Sequence, residues 1–406
     1  MIFFDYQPLP SIENEEILEQ MAELYMETWY EPNLPVGTYY FEPLFLKYWI
    51  KTYCDEEYIF SAFKNDNLIG LFLGKAVDLH FRVKLKENLP KKEILKGFVI
   101  GGAVMSKKFQ RSNHMRNMLD TLISLLKTKN FDLILTFPYA NSGIVEKLRD
   151  NFEFEILNKK ANNYIGFLTE ERFACQEEIQ GKDILKKITE TIAKPFILIT
   201  KPFESLTGPI SQKSLKSSPI KLNANHFVDV QENDYPKIVE ILNSYSQKID
   251  LNRIWTVEEF KKFVNGSLLL RELEQEEPGK YGFELKAWKQ NGEMIGFISI
   301  HKRKTYYDGG ILPTVYIDLF GFKQHVIIND KIKFFMNVFE EILDHRPNVC
   351  SINLNGCYHE MELINQLNFR PLKPEKKLMI LKLSEKAKII NELKSIEYFN
   401  VPVIDF

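Results

Sequence analysis

Residues 59–75 read IFSAFKNDNLIGLFLGK, and residues 284–302 read ELKAWKQNGEMIGFISIHK. Each stretch alternates apolar and polar residues, passes through a short polar turn, and opens its second half with Ile-Gly, at Ile69 and at Ile295. Alternation with period two on both sides of an Asn-rich or Asn-Gly turn is typical of a β-hairpin. The sequence therefore predicts two hairpins of the same design.

The same order of predicted elements surrounds each hairpin. Amphipathic helices precede the hairpins at 15–29 and 235–245, and apolar strands follow them at 98–105 and 314–322. Both copies then continue with a helix, a strand, a short helix and a last strand. In the first copy these are predicted at 115–126, 131–137, 144–151 and 152–157. In the second copy they are predicted at 332–343, 350–354, 361–367 and 378–383. This order predicts an α+β fold of two tandem domains, each a mixed central sheet flanked by helices.

The length of 406 residues agrees with two domains, at about 150 residues per domain with a connection between them. We place the first domain at residues 1–172 and the second at 222–385. The segment 173–221 becomes rich in Pro, Ser, Lys and Gly toward its end, which is typical of a linker. Residues 386–406 are predicted to form a C-terminal tail.

Composition excludes several classes of protein. Lys and Arg number 53 and Asp and Glu 55, which gives a formal net charge of −2, so binding of nucleic acid through a general basic field is not expected. The apolar content of 45% indicates a folded chain. No apolar segment reaches the roughly 20 residues that span a bilayer, so we expect no membrane span and a cytoplasmic protein.

The residues that most often bind metals show no metal-binding pattern. The four cysteines are scattered without a C-x-x-C pair, which fits neither a disulfide framework nor a zinc site. The histidines of the second copy, His325, His345 and His359, also lack a regular spacing. We therefore expect no metal site.

The most specific stretch is residues 104–119, VMSKKFQRSNHMRNML, in which a strand runs through a basic loop into a helix. The unpaired N–H groups and the positive end of a helix dipole favour an anion at such a place. With the order of elements, this stretch resembles the GCN5-related N-acetyltransferase superfamily, whose members move an acyl group from a coenzyme A thioester to an amine. The resemblance implies that an acyl-CoA binds along the strand and loop, at Val104, Met105, Gln110, Arg111, Ser112, Asn113, His114 and Met115, and at Asn141.

The chain departs from the family pattern at several positions. Asn113 and Met115 replace the two glycines of the loop, and Glu153 replaces a glycine further on. Arg149 stands where the family often has a tyrosine that protonates the departing thiolate, so Tyr139 is the candidate for that role. Three of these assignments have a simpler alternative. His114 is then an exposed loop residue, Asn141 a helix cap and Tyr139 a packed aromatic residue.

The second copy is further from the pattern, because its loop at 323–331 has no glycine and places Asp330 near a helix start, where it would repel a phosphate. We expect this copy not to bind coenzyme A. Tandem members of the superfamily include the N-myristoyltransferases and the enhanced-intracellular-survival acetyltransferases, in which the terminal carboxylate of the chain acts as a base. By that resemblance Phe406 is a candidate base, with Glu42, Glu56 and Glu57 as alternatives.

The expected function is transfer of an acyl group, most simply acetyl, from acetyl-CoA or another acyl-CoA to a primary amine. The acceptor is expected to be an amine-bearing small molecule or a protein. A catalytically inactive relative that senses acyl-CoA or binds a protein is the alternative, because the glycines and the tyrosine are replaced. A transferase of the myristoyl type is a third possibility.

Overall fold

A computed structural model of the chain describes residues 4–9, 11–29, 38–39, 41–84, 90–110, 113–140, 143–161, 164–167, 227–244, 249–307, 310–344, 349–352, 360–371, 376–387 and 399–400. The strands are β1 Phe4–Pro8, β2 Thr38–Tyr39, β3 Phe60–Lys64, β4 Asn67–Lys84, β5 Pro90–Met105, β6 Leu133–Thr136, β7 Glu155–Ala161, β8 Tyr164–Phe167, β9 Phe227–Asp229, β10 Leu251–Arg253, β11 Gly282–Gln290, β12 Glu293–Tyr307, β13 Gly310–Phe322, β14 Val349–Ile352, β15 Arg370–Pro371, β16 Lys376–Lys382 and β17 Phe399–Asn400. The helices are α1 Glu15–Trp29, α2 Pro43–Tyr53, α3 His114–Thr128, α4 Ile144–Phe152, α5 Tyr235–Ser244, α6 Val257–Ser267, α7 Leu269–Glu276, α8 Ile328–Asp344 and α9 Met361–Gln366. These elements confirm the predicted α+β class.

Both predicted hairpins are present. β3 and β4 are joined by a two-residue turn in which Asn65 and Asp66 have φ values of 49° and 65°. β11 and β12 are joined in the same way by Asn291 and Gly292, at 51° and 78°. Left-handed backbone at both turn positions matches the twist of the strands, and Asn, Asp and Gly tolerate it best.

The two sheets exchange strands, which the sequence did not predict. The first sheet has the order β1-β3-β4-β5-β6-β16-β7 and the second β15-β8-β14-β13-β12-β11-β9. β16, the strand predicted at 378–383 within the second copy, lies in the first sheet, where Ile380 pairs with Leu135 on one side and with Glu155 on the other. β8, from the first copy, pairs with β14 and β15 in the second sheet. An alternating pattern identifies a strand but not its neighbours, so the two sheets have different boundaries from the two repeats.

Short strands from the helical connections cross between the sheets as well. β2 lies between α1 and α2 and pairs with β12, where Tyr39 is opposite Thr305. β10 lies between α5 and α6 and pairs with β4, where Asn252 is opposite His80. Each half of the molecule therefore contributes backbone hydrogen bonds to the sheet of the other half.

The largest hydrophobic core belongs to both halves. It joins side chains of α1 and α2 to side chains of α5, α6, α7 and β11, and it includes the fully buried Trp49, Phe45, Phe260 and Tyr281. The aromatic residues around α2 therefore pack in the shared core. Helices α3 and α4 cover the opposite face of the first sheet, where Phe98 and Phe131 meet edge to face. In the part of the chain that the structure describes, no helix is long and apolar enough to cross a membrane.

Candidate functional site

The first sheet opens between two of its central strands. β5 and β6 pair in parallel from Gly97 and Leu133 to Ile100 and Thr136, and there the pairing ends. β5 continues to Met105, paired on its other side with β4. Among the described residues, the edge of 101–105 that faces β6 therefore has no strand partner, and its amide groups suit an extended chain laid beside them.

A β-bulge marks the point where the strands diverge. Leu73 pairs with Gly102 and Gly74 pairs with Ile100, so Gly101 is the extra residue on β5. A bulge turns the strand locally, and a glycine there places no side chain in the opening. The bulge and the end of the parallel pairing coincide.

The described part of the loop after β5, residues 106–110, contacts β5 and α1. The Gln110 side chain donates to the carbonyl of Met105 over 3.1 Å, and the N–H of Lys107 and the hydroxyl of Ser106 donate to Glu27 on α1. Val104 and Met105 are buried, so only their backbone faces the opening. The loop geometry is thus fixed by contacts with β5 and α1.

Helix α3 begins at the end of this loop without a side-chain cap. Asn113 is the N-cap residue, its side chain forms no capping hydrogen bond, and the first turn contains no acidic residue. An uncapped helix start carries partial positive charge on its N–H groups. The predicted positions Asn113, His114 and Met115 all lie there, whereas Arg111 and Ser112 are outside the described residues.

Basic side chains surround the start of α3. Lys107 is exposed, and Arg116 is exposed with its Nε 3.9 Å from Asp120. The Lys64 ammonium lies 4.8 Å from the ring centroid of Phe109, which contacts the His114 ring edge to face at 5.8 Å. Burial, with a contribution from Lys64, lowers the pKa of His114, so this imidazole takes up a proton less readily than an ordinary histidine. The charge available for an anion therefore comes from lysine and arginine.

Two residues that depart from the family pattern, Glu153 and Arg149, belong to α4 and its C-terminal end. Glu153 ends the helix with φ of 61°, the left-handed conformation for which glycine is favoured. Arg149 is exposed and pairs with the adjacent Asp150 at 2.8 Å. Arg149 thus lies on the helix surface, paired with its neighbour. Asn141 is outside the described residues.

Tyr139 follows β6 on the far side of the opening. It is half-buried and forms an isolated bridge with Lys376 at the start of β16, with the Lys376 ammonium 5.4 Å from the Tyr139 ring centroid. The tyrosine is therefore held beside the opening by a strand from the end of the chain. Its acid role stays a prediction.

Of the three candidate acids of the first half, Glu56 is exposed, and Glu42 and Glu57 form ion pairs. Glu42 forms an ion pair of 2.7 Å with Lys304 and accepts a hydrogen bond from the Tyr281 hydroxyl. Glu57 pairs with Lys129 at 3.0 Å. Both carboxylates therefore bind cationic partners, and Phe406 is outside the described residues.

The second sheet has an equivalent bulge with different contents. Ser299 pairs with Leu319 and Ile300 with Ile317, so the extra residue is Asp318. Its carboxylate lies 2.5 Å from Nδ1 of His301, and both side chains are buried. The His301 ring stacks on Tyr316 at 5.0 Å. Buried, paired side chains thus stand at the bulge of the second sheet, where the first sheet has Gly101. That the second copy does not bind coenzyme A stays a prediction.

Sequence reasoning missed this buried polar cluster. The signal was the run His-Lys-Arg-Lys-Thr at 301–305, which continues an apolar strand and is buried throughout. It also missed Lys75, which occupies on β4 the position that His301 has on β12, one residue beyond the paired bulge. In both cases a charged or titratable residue follows the apolar first half of a long strand.

The two sheets with their reciprocal strands form a fold that is also found in solved structures. Solved structures with this fold include Saccharomyces cerevisiae N-myristoyltransferase with bound myristoyl-CoA, at a TM-score of 0.64 and 10% identity over 93% of this chain and 79% of that chain. A second structure of that enzyme, with myristoyl-CoA and inhibitors, has a TM-score of 0.64 and 12% identity, over 93% of this chain and 80% of that chain. A third structure, with myristoyl-CoA, has a TM-score of 0.62 and 11% identity, over 93% of this chain and 82% of that chain. No family model and no curated protein matches the sequence. The predicted resemblance is therefore confirmed at the level of the fold.

Proposed function

We propose that the chain is an acyl-CoA-dependent N-acyltransferase that moves an acyl group from coenzyme A to a primary amine. The observation that carries the proposal is the opening between β5 and β6, which ends at a bulged glycine, Gly101, and leads to the uncapped start of α3. The fold neighbour was crystallised with myristoyl-CoA, which supports a coenzyme A thioester as the ligand.

Each part of the opening suits one part of such a ligand. The N–H groups at the start of α3, together with Lys107 and Arg111, suit the pyrophosphate. The free edge of residues 101–105 runs from this end toward Gly101, about 17 Å at roughly 3.4 Å per residue, and suits an extended pantetheine arm. The thioester would then reach the point where β5 and β6 close.

Transfer requires positioning more than covalent catalysis by the protein. An amine held beside the thioester carbonyl attacks it, and the carbonyl oxygen needs a hydrogen-bond donor as charge develops. Backbone N–H groups next to the bulge are candidates for that donor. Tyr139, at the β6 side of the opening, is the candidate for protonating the departing thiolate.

An inactive acyl-CoA-binding protein is the second candidate. It is favoured by Met115 in the first turn of α3, where its side chain is half-buried beside the proposed pyrophosphate site, and by the surface position of Arg149. Both residues replace groups that active members of the superfamily use. The two candidates differ in turnover and not in ligand binding.

Calorimetry with acetyl-CoA, octanoyl-CoA and myristoyl-CoA tests the ligand and its acyl length, and thiol release with a panel of amines tests transfer. We expect binding of at least one thioester and amine-dependent release of free thiol. Arg111→Glu should weaken binding at least tenfold, about 1.4 kcal/mol, whereas Lys262→Glu on the exposed side of α6 should not. Binding without thiol release across the panel would favour the inactive protein, and binding of no thioester would contradict both candidates.

A further inference from the structure

Lys75 lies beside the point where the opening closes. Its Cα pairs with that of Val99 on β5, and Val99 pairs with Leu135 on β6. Residues in register on adjacent strands point to the same face, so the three side chains leave the sheet together. The next pair along these strands, Ile100 and Thr136, is the last one before β5 and β6 diverge. Lys75 is therefore one strand and one residue away from the expected thioester.

The Lys75 side chain is half-buried in a pocket built by both halves of the molecule. Its Nζ donates to the carbonyl of Thr52 near the end of α2, over 3.3 Å. Arg253 on β10 and Glu259 on α6 face it from the second half, and Asp55 and Cys54 face it from the end of α2. The amine is thus held between the end of α2 in the first half and β10 and α6 in the second half.

The neighbouring carboxylates are engaged elsewhere. Asp55 Oδ2 accepts the N–H of Ala76 over 2.8 Å, and Glu259 pairs with Arg253 at 3.2 Å. Burial, and then the positive charge of Arg253, lowers the pKa of Lys75 to about 8, although Asp55, Cys54 and Glu259 act in the opposite direction. Around pH 7.5 about a quarter of the Lys75 side chains are therefore neutral, compared with about 0.1% for an ordinary lysine.

The proposed reaction needs a proton acceptor at this place. A primary amine that attacks a thioester must lose a proton. Of the candidate acids, Glu42 and Glu57 are bound to Lys304 and Lys129, and Glu56 is exposed on the surface. We propose that neutral Lys75 is the catalytic residue that takes this proton, an inference that rests on the function proposed above. The C–N bond forms and the C–S bond breaks, with the electron pair on sulfur. The proton moves from the acceptor nitrogen to Nζ of Lys75 and is then released to solvent.

Three variants of the full chain separate this role from a structural one. Lys75→Met removes the amine, and Lys75→Arg keeps a donor for the Thr52 carbonyl but cannot become neutral. We expect both to lower kcat at least 100-fold and to leave the calorimetric affinity for the acyl-CoA within threefold. Lys262→Met, at the exposed lysine on α6, should leave both unchanged. Wild-type turnover in Lys75→Arg would overturn the proposal.

The pH dependence of kcat/KM gives a second readout. Butylamine ionises near the value of an ordinary lysine, whereas the nitrogen of methoxyamine is already neutral in this range. With both acceptors kcat/KM should rise through about pH 8, because this rise reports the loss of a proton from Lys75. A second rise, at higher pH, should appear only with butylamine, because it reports the ionisation of the acceptor. If the pH at which kcat/KM rises depended only on which acceptor is used, the proposal would be contradicted.

A chemical labelling experiment tests the role of Lys75 without depending on the activity assay. Trace acetic anhydride, read by mass spectrometry, should modify Lys75 with a midpoint near pH 8. Saturation with the acyl-CoA that binds in calorimetry should reduce labelling of Lys75 at least fivefold and leave Lys262 unaffected. Bound thioester without protection of Lys75 would overturn the role of Lys75 alone, whereas failure of every thioester to bind would overturn the proposed function as well.

Discussion

Gly266 on α6 faces Thr52 on α2 so closely that a Cβ atom at position 266 would lie 2.5 Å from Oγ1 of Thr52 and 2.8 Å from its backbone nitrogen. Thr52 cannot turn away without cost, because its hydroxyl donates to the carbonyl of Tyr48 over 2.8 Å. This contact is one of those that join the helices of the two halves.

Gly266→Ala should therefore lower the free energy of unfolding by about 1–3 kcal/mol, although alanine favours a helix over glycine by about 1 kcal/mol. Urea unfolding measures the change. Gly143→Ala is the control, because nothing lies within 4 Å of its added Cβ and the effect should stay below about 1 kcal/mol. Equal effects at the two positions would show that the α2–α6 contact is not tight.

Glu153→Gly should raise the free energy of unfolding by about 1 kcal/mol. Glu153 is left-handed at the end of α4, and a side chain in that conformation costs roughly that much. Glu146→Gly, within the first turn of the same helix, should have the opposite sign, since glycine is unfavourable in a helix. Thermal unfolding of both variants tests the pair, and a loss of stability in Glu153→Gly would be inconsistent with the left-handed backbone.

Stability should fall as the pH drops below about 6.5, with His301 as one cause. Burial lowers the pKa of His301, despite the adjacent Asp318, so the folded chain binds fewer protons than the unfolded chain in this range. His301→Asn keeps a donor for Asp318 and removes the titration. We expect the stability difference between pH 7.5 and pH 5.5 to shrink in this variant but not in His325→Asn, where an exposed histidine is replaced.

Lys75→Met should stabilise the chain at pH 7, by roughly 1–2 kcal/mol, because it removes a charge that burial disfavours. The pKa of Lys75 is about 8 in the folded state and near 10.5 when unfolded, so the penalty exists below pH 8 and disappears as the pH rises toward 10.5. Urea unfolding at pH 7 and pH 10 tests this. A difference that does not change with pH would argue against the lowered pKa.

Residues 1–172 alone should not form a stable domain. β16 fills the gap between β6 and β7, so its removal leaves both strands without the partner they have in the full chain. We expect the fragment to lack a cooperative unfolding transition in calorimetry, while the full chain unfolds in a single one. Cooperative unfolding of the fragment would contradict the importance of the exchanged strand.

Local features of the fold were predictable from the sequence. The helix predicted at 15–29 is α1, and the turns at Asn65 and Asn291 have the left-handed backbone that their residues favour. The strand predicted at 98–105 is the end of β5, which begins at Pro90. Periodicity and turn chemistry act over a few residues, and these elements depend on little else.

Features that depend on distant contacts were not predictable. The sheet that receives β16 is decided by pairing between residues such as Ile380 and Leu135, far apart in the sequence. Lys75 and His301 read as ordinary polar positions of two hairpins, because their burial comes from the other half of the molecule. The basic loop before α3 was found because its signal is local.

The exchange of β16 has a consequence for the order in which the ribosome delivers the chain. The first sheet lacks β16, the strand between β6 and β7, until residue 382 has been made, long after β6 and β7 have left the ribosome. Those two strands wait with unpaired edges through most of translation, which is when edge strands associate wrongly. The edges of β6 and β7 are thus the places where the nascent chain is most open to incorrect pairing.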